Sequence, residues 1–185
     1  MVPAYVGSVT DVAFLLAPGA NGGAEHPTLL AIEAAVAPAV VARVAQPSRK
    51  AVERVVAEAA ELAARAGVAP EDVVLGGRSY GGRMCSMAVA AGLPARGLVL
   101  ISYPLHPPGR PDQVRTGHFP DIGVPCLFVS GKGDAFARPD ELAVAVAAIP
   151  APTETVWLDG GGHGLRGRDP EVVALVSRWV SGLRG

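Results

Sequence analysis

The sequence predicts an α/β fold in which a doubly wound, mostly parallel six-stranded sheet carries helices on both faces. Three observations predict it. Six short apolar runs, rich in branched residues, each end near a Gly, Pro or Asp. None of these runs alternates polar with apolar residues, which is the pattern of strands covered on both faces and hence of a parallel sheet. Helical patterns fall between the runs, and strands alternating with helices build crossover units that wind on both sides of a sheet. At 185 residues the chain fits one domain over 1–185, long enough to bury its apolar surface in a single core.

The elements follow in order. Residues 12–17 form the first strand, stopped by Pro18, and 26–37 the first helix. Residues 40–45 form the second strand. The second helix spans 48–65, with Ser48 as a start signal, Glu53 and Arg54 on its polar side and Gly67 as its stop. Residues 73–76 form the third strand, followed by a helix over 80–91 that Gly92 ends. Residues 97–102 form the fourth strand. The stretch 103–125 contains Pro104, Pro107, Pro108, Pro111, Pro120 and Pro125, and an irregular connection of that length marks a functional or mobile segment. Residues 126–130 form the fifth strand. The helix over 139–149 opens on Arg138-Pro139-Asp140-Glu141, with proline and acids in its first turn. Residues 155–158 form the last strand, and Asp169-Pro170-Glu171 opens a closing helix over 170–183.

Composition narrows the function classes. Half of the residues are hydrophobic and the formal net charge is −1, so there is no basic field for nucleic acid, and a small-molecule partner is the default. Cys85 and Cys126 lie in apolar runs without CxxC spacing, which predicts reduced core residues. The stretch MVPAYVGSVTDVAFLLAPGA has no basic leader, and Asp11 and Pro18 interrupt its apolar run. Neither a signal peptide nor a membrane span is expected, and the expected location is cytoplasmic.

The chemistry gathers where a doubly wound fold places ligands, beyond the carboxyl ends of the strands. Gly77-Arg78-Ser79-Tyr80-Gly81 matches G-x-S-x-G, in which a serine occupies a sharp strand-to-helix corner. Composition alone would produce such a match with a chance of about 0.12, so the strand and helix on either side carry the reading. The corner requires Ser79 at positive φ, and Gly77 and Gly81 are expected to approach each other across it.

A serine needs a histidine to take its proton and a carboxylate to orient that histidine. Asp134, in SGKGD after the fifth strand, and His163, in GGGHG after the sixth, supply them in the order Ser, acid, His. Asp159 is the competing acid. Backbone N–H groups of Tyr80 and of Ala20, the latter in the loop APGANGG, are candidates for an oxyanion hole, with Gly19 allowing that loop its path. Gly19, His106 and Arg78 are candidates for the pocket wall; Arg78 suits either a substrate carboxylate or a structural ion pair. Neither G-x-x-x-x-G-K-[ST] nor G-x-G-x-x-G occurs in the loop from Leu16 to Gly23 or in the corner from Gly76 to Arg83, which argues against a phosphate loop at either.

Together GGRSYGGR, GLVLISYPLHPPGRP, VPCLFVSGKGDAF and GGGHGL resemble the small, cap-less α/β-hydrolase domains called dienelactone-hydrolase-like, in the branch that includes a subunit of the NSL histone-acetylation complex and testis-expressed relatives. The resemblance spans nearly the whole chain and implies the minimal α/β-hydrolase fold, with Ser79 as nucleophile, Asp134 as acid and His163 as base. Pro18 stands where relatives carry a histidine, and Gln46-Pro47-Ser48 makes a short turn where an aromatic-rich one is usual. Two functions follow from the residues. One is a serine hydrolase cleaving a small ester or related acyl compound through an acyl-enzyme, with no metal or organic cofactor. The alternative is a hydrolase-like interaction module in which the triad survives only as architecture.

Overall fold

The structure is a computed structural model, and it describes residues 11–45 and 50–183. A six-stranded sheet has the order β2-β1-β3-β4-β5-β6, every neighbouring pair parallel. The strands are β1 (Ala13–Ala17), β2 (Val40–Arg43), β3 (Val73–Arg78), β4 (Gly97–Ile101), β5 (Cys126–Gly131) and β6 (Thr153–Leu158). The helices are α1 (Pro27–Ala35), α2 (Ala51–Ala66), α3 (Tyr80–Ala90), α4 (Pro139–Val146) and α5 (Asp169–Gly182). The expected Ser48 start of the second helix and the Gln46-Pro47-Ser48 turn lie outside the described residues.

Continuous apolar strands make sense once both faces are traced. Phe14, Leu16, Val74, Val99, Ile101, Leu127 and Val129 point into one core layer with Leu29 and Ile32 of α1 and Val172, Val176 and Val180 of α5. Ala13, Leu15, Leu75, Leu98, Leu100 and Phe128 point the other way, onto Val55 and Leu62 of α2, Cys85 and Ala88 of α3 and Leu142 of α4. Both cysteines are free and buried, and burial pushes each thiol up to about 12. The helix stop after α2 is as expected: Gly67 has φ 69°, left-handed backbone that residues with a Cβ rarely adopt.

Two departures from the sequence expectations bear on the site. β3 runs two residues past Gly76, because Gly77 and Arg78 continue the ladder opposite Leu100 and Ile101. The proline-rich stretch 103–125 is tied down: Tyr103, Leu105, Phe119 and Ile122 are buried in the core, and Tyr103 meets Phe119 and Phe128 edge to face. No helix among the described residues is long and apolar enough to cross a membrane.

The strand order changes direction between β1 and β3. The chain leaves β1 toward β2 on one side and returns through α2 to β3 on the other, which opens a crevice beyond the carboxyl ends of these strands. The Pro18–Gly22 loop and the Ser79 corner face each other there.

Candidate active site

Ser79 joins β3 to α3 with φ 48° and ψ −117°, a strained combination for a residue with a side chain. Its N–H donates to Ile101 O at 2.8 Å and its carbonyl accepts from Arg83 N at 3.1 Å, so the neighbouring strand and the first turn of α3 both hold the corner. The glycines serve this corner in a different way from the one expected. Gly77 and Gly81 do not face each other: a Cβ on either would collide with the backbone carbonyl of Ala17, and at Gly81 also with that of Pro18. It is Gly82 that packs on Gly77, where a Cβ would lie 2.9 Å from the Gly77 carbonyl oxygen. The corner is therefore pressed against the end of β1, which brings the Pro18–Gly22 loop beside Ser79. The Cβ position of Gly19 is 3.7 Å from Ser79 Cβ.

The end of β5 supplies Asp134, which is 1% exposed. Its Oδ1 accepts the Phe136 N–H at 2.8 Å, fixing the carboxylate within its own turn. Both carboxylate oxygens face His163 Nδ1, at 3.0 and 2.9 Å. On the other edge of the ring, His163 Nε2 is 2.8 Å from Ser79 Oγ. A carboxylate only accepts, so Nδ1 carries the proton and Nε2 presents its lone pair to the serine hydroxyl. Phe136 stacks on the imidazole with ring centroids 4.0 Å apart. The competing acid, Asp159, is turned to solvent, where Lys132 at 2.7 Å holds its carboxyl below the usual range.

A cleft of about 410 Å³ lies over Ser79, lined by Gly19, Ala20, Asn21, His26, Arg78, Phe136 and His163 among others. Ala20 borders it from the β1 loop. Tyr80, the first residue of α3, has no carbonyl one helical turn before it to accept its N–H. Among the described residues Arg78 forms no ion pair, one of the two roles expected for it: its guanidinium bonds His26 Nε2 at 2.7 Å and the carbonyls of Gly164 at 2.8 Å and His163 at 3.4 Å.

The structure places His106 elsewhere, as a correction to the pocket expected. It is buried beside α4, its Nδ1 donating to the Pro107 carbonyl at 2.8 Å and its Nε2 to Glu141 at 3.1 Å, and it borders a separate groove. Sequence reading missed His26 and Phe136. Phe136 had a signal, an aromatic two residues after the acid in the same turn; His26 had none, because it meets Arg78 only through the fold. Among the described residues no group of three His, Cys, Asp or Glu side chains is placed to hold a metal ion.

Residues 42–175 match the family described as an alpha/beta hydrolase domain. Among solved structures, the chain is similar to DcsB in complex with its substrate analogue, with TM-score 0.75 and 14% identity over 92% of this chain and 90% of that one. It is similar to Est1E from Butyrivibrio proteoclasticus, with TM-score 0.72 and 14% identity over 93% and 88% of the two chains. It is also similar to an alpha-beta serine hydrolase homologue from Coxiella burnetii, with TM-score 0.74 and 17% identity over 91% and 84%. At these identities the likeness is one of fold.

Proposed function

The chain belongs to the alpha/beta hydrolase family, and from that premise we propose that it is a serine hydrolase that cleaves a small ester or related acyl compound through an acyl-enzyme. The observation that carries the reading is the unbroken hydrogen-bonded series Ser79, His163, Asp134, with the nucleophile at positive φ and open to a cleft. Ser79 Oγ attacks the acyl carbon while His163 Nε2 takes its proton. Asp134 holds the imidazole in the required tautomer and stabilises the cation that forms. The oxyanion is held by the N–H groups of Tyr80 and Ala20. Collapse of the tetrahedral intermediate breaks the bond to the leaving oxygen, which collects the proton from His163. Water then attacks the acyl-enzyme with His163 again as base, releasing the acid and restoring Ser79.

The exposed surface of the cleft is mostly apolar despite Asn21, His26 and Arg78 in its wall, which favours a small, weakly polar acyl group. The narrower placement in the dienelactone-hydrolase-like branch is part of the same proposal, supported by GGRSYGGR and GGGHGL; so is a cytoplasmic location. The test is a fluorophosphonate probe, which reports an activated serine without knowledge of the substrate. Stoichiometric labelling of Ser79, with turnover of a p-nitrophenyl ester, is expected. A chain that is folded and inert to both would leave the interaction-module reading in its place.

A further inference from the structure

We propose that Arg78 is a positioning residue for His163, its guanidinium tying the histidine loop to the strand that carries Ser79 while His26 fixes the guanidinium from the opposite side. The inference rests on the hydrolase reading and deepens it. His163 lies in a segment with glycine at 160, 161, 162, 164 and 167, where the backbone has more freedom to lose than anywhere else in the site. Asp134 and Phe136 restrain the ring, but a ring is only as well placed as the backbone beneath it. Upstream of His163 the loop is pinned to the turn of the acid, with Gly133 N donating to Gly161 O at 2.9 Å. Downstream, the carbonyls of residues 163 and 164 are held by Arg78 Nη2. The loop is thus fastened at one end to the acid and at the other to the residue preceding the nucleophile.

A guanidinium suits this task because its donors are set in a rigid fork that spans two acceptors. Arg78 is half-buried, and no carboxylate of the described residues forms an ion pair with it, so its three bonds go to neutral acceptors. His26 completes the clamp. A guanidinium only donates, so His26 Nε2 must carry the lone pair, and the ring is neutral while the clamp is closed. The Thr28 N–H, 3.2 Å from Nδ1, competes for the same single acceptor capacity, and the shorter, charge-assisted contact prevails. The charged groups facing His26 are Arg78 from the β3 corner and, beyond Thr28, Asp169 at the start of α5. Burial first, then Arg78, lowers the His26 pKa, against a smaller opposing pull from Asp169.

The experiment measures p-nitrophenyl acetate turnover, fluorophosphonate labelling and backbone hydrogen exchange in wild type, Arg78→Met, Arg78→Lys and His26→Gln. A misplacement of about 1 Å costs about 10²-fold in rate, so Arg78→Met is expected to lower kcat by that order with KM little changed. Arg78→Lys should recover about tenfold of the loss, since a single ammonium nitrogen can serve the loop carbonyls but cannot also reach across to His26 as the two arms of the fork do. His26→Gln should remove one ionisation from the acid limb of the kcat profile. Exchange in 160–166 should quicken in Arg78→Met while the centre of α5 stays unchanged. A kcat equal to wild type in Arg78→Met, or a loss confined to KM, overturns the proposal; the second result would make Arg78 a substrate contact. If wild type resists the probe, the hydrolase reading falls by itself. Exchange then still decides the tie: quickening in Arg78→Met supports it and unchanged exchange refutes it.

Discussion

Two serine–histidine pairs in this molecule have the same separation and opposite chemistry. Ser79 Oγ is 2.8 Å from His163 Nε2, and Ser86 Oγ is 2.8 Å from His118 Nε2. Ser86 lies in the middle of α3, fully buried, and its hydroxyl donates to the Arg83 carbonyl one turn back at 2.8 Å. With its proton committed there, Ser86 can only accept from His118, so the Nε2 of that ring is a donor. At Ser79 the direction is reversed, because Asp134 claims the Nδ1 proton and leaves Nε2 as the acceptor. The distance between serine and histidine therefore says little about nucleophilicity. What faces the other nitrogen, and whether the serine sits at an open corner or inside a helix, decides it.

The comparison is broken most severely by exchanging its members for alanine. Ser79→Ala and His163→Ala should each abolish labelling and cost on the order of 10⁶ in kcat, since residues acting as a unit lose nearly everything with any one of them. Ser86→Ala should label at the wild-type rate. Equal losses from Ser79→Ala and Ser86→Ala would mean that both act through the fold.

The acid ranks next. Asp134→Asn should lower kcat on the order of 10⁴, because the amide offers Nδ1 a donor as readily as an acceptor and unsets the tautomer. Asp159→Asn, which only disturbs an exposed pair with Lys132, should change kcat little. The reverse ranking in steady-state rates would move the acid to Asp159.

Between these effects and the smaller ones stands the corner itself, where the limits of sequence reading are clearest. The strands were legible because each is apolar on both faces, and G-x-S-x-G was legible because strand and helix flank it. The collision partner of its glycines was not: Gly77 and Gly81 are four residues apart, yet both are pressed on Ala17, some sixty residues away in sequence. The same holds for His26 against Arg78, and for the stretch 103–125, whose prolines suggested a functional or mobile segment while Tyr103, Phe119 and Ile122 anchor it. Contacts set by crossover geometry leave no local pattern. Gly81→Val should therefore destabilise the chain by about 3 kcal/mol or more as the corner is forced off β1, with labelling lost in whatever folds. A stable, fully labelled Gly81→Val would refute the close approach to Ala17.

Ser86→Ala returns to the second pair and should affect stability alone. It leaves a half-buried His118 Nε2–H with the Tyr103 hydroxyl, 3.4 Å away, as its acceptor among the described residues. The cost of such an under-satisfied donor is about 1–3 kcal/mol, a fall in Tm of about 2–4 °C per kcal/mol for a chain of this size. An unchanged Tm would show that the Tyr103 hydroxyl takes over the bond.

The smallest effect sharpens the lesson that the surroundings of each ring nitrogen set what a histidine does. His118 is held below its ordinary 6.5 by burial first and then by Arg83, against a smaller pull from Asp121. The folded chain then binds fewer protons at that site than the unfolded one, so its stabilisation is full above pH 6.5 and is lost as pH falls through the folded value. His106 runs the opposite way. Both of its nitrogens face acceptors, the Pro107 carbonyl and Glu141, and its pKa is raised, the Pro107 bond contributing most. Its stabilisation is full below 6.5 and is lost as pH rises through the folded value. Melting temperatures between about pH 5 and 8 should separate the two: His118→Gln flattens the decline on the acid side, and His106→Gln flattens the decline on the alkaline side. If His118→Gln left the acid side as steep as in wild type, the burial and the Arg83 charge that keep His118 neutral would have no consequence for stability.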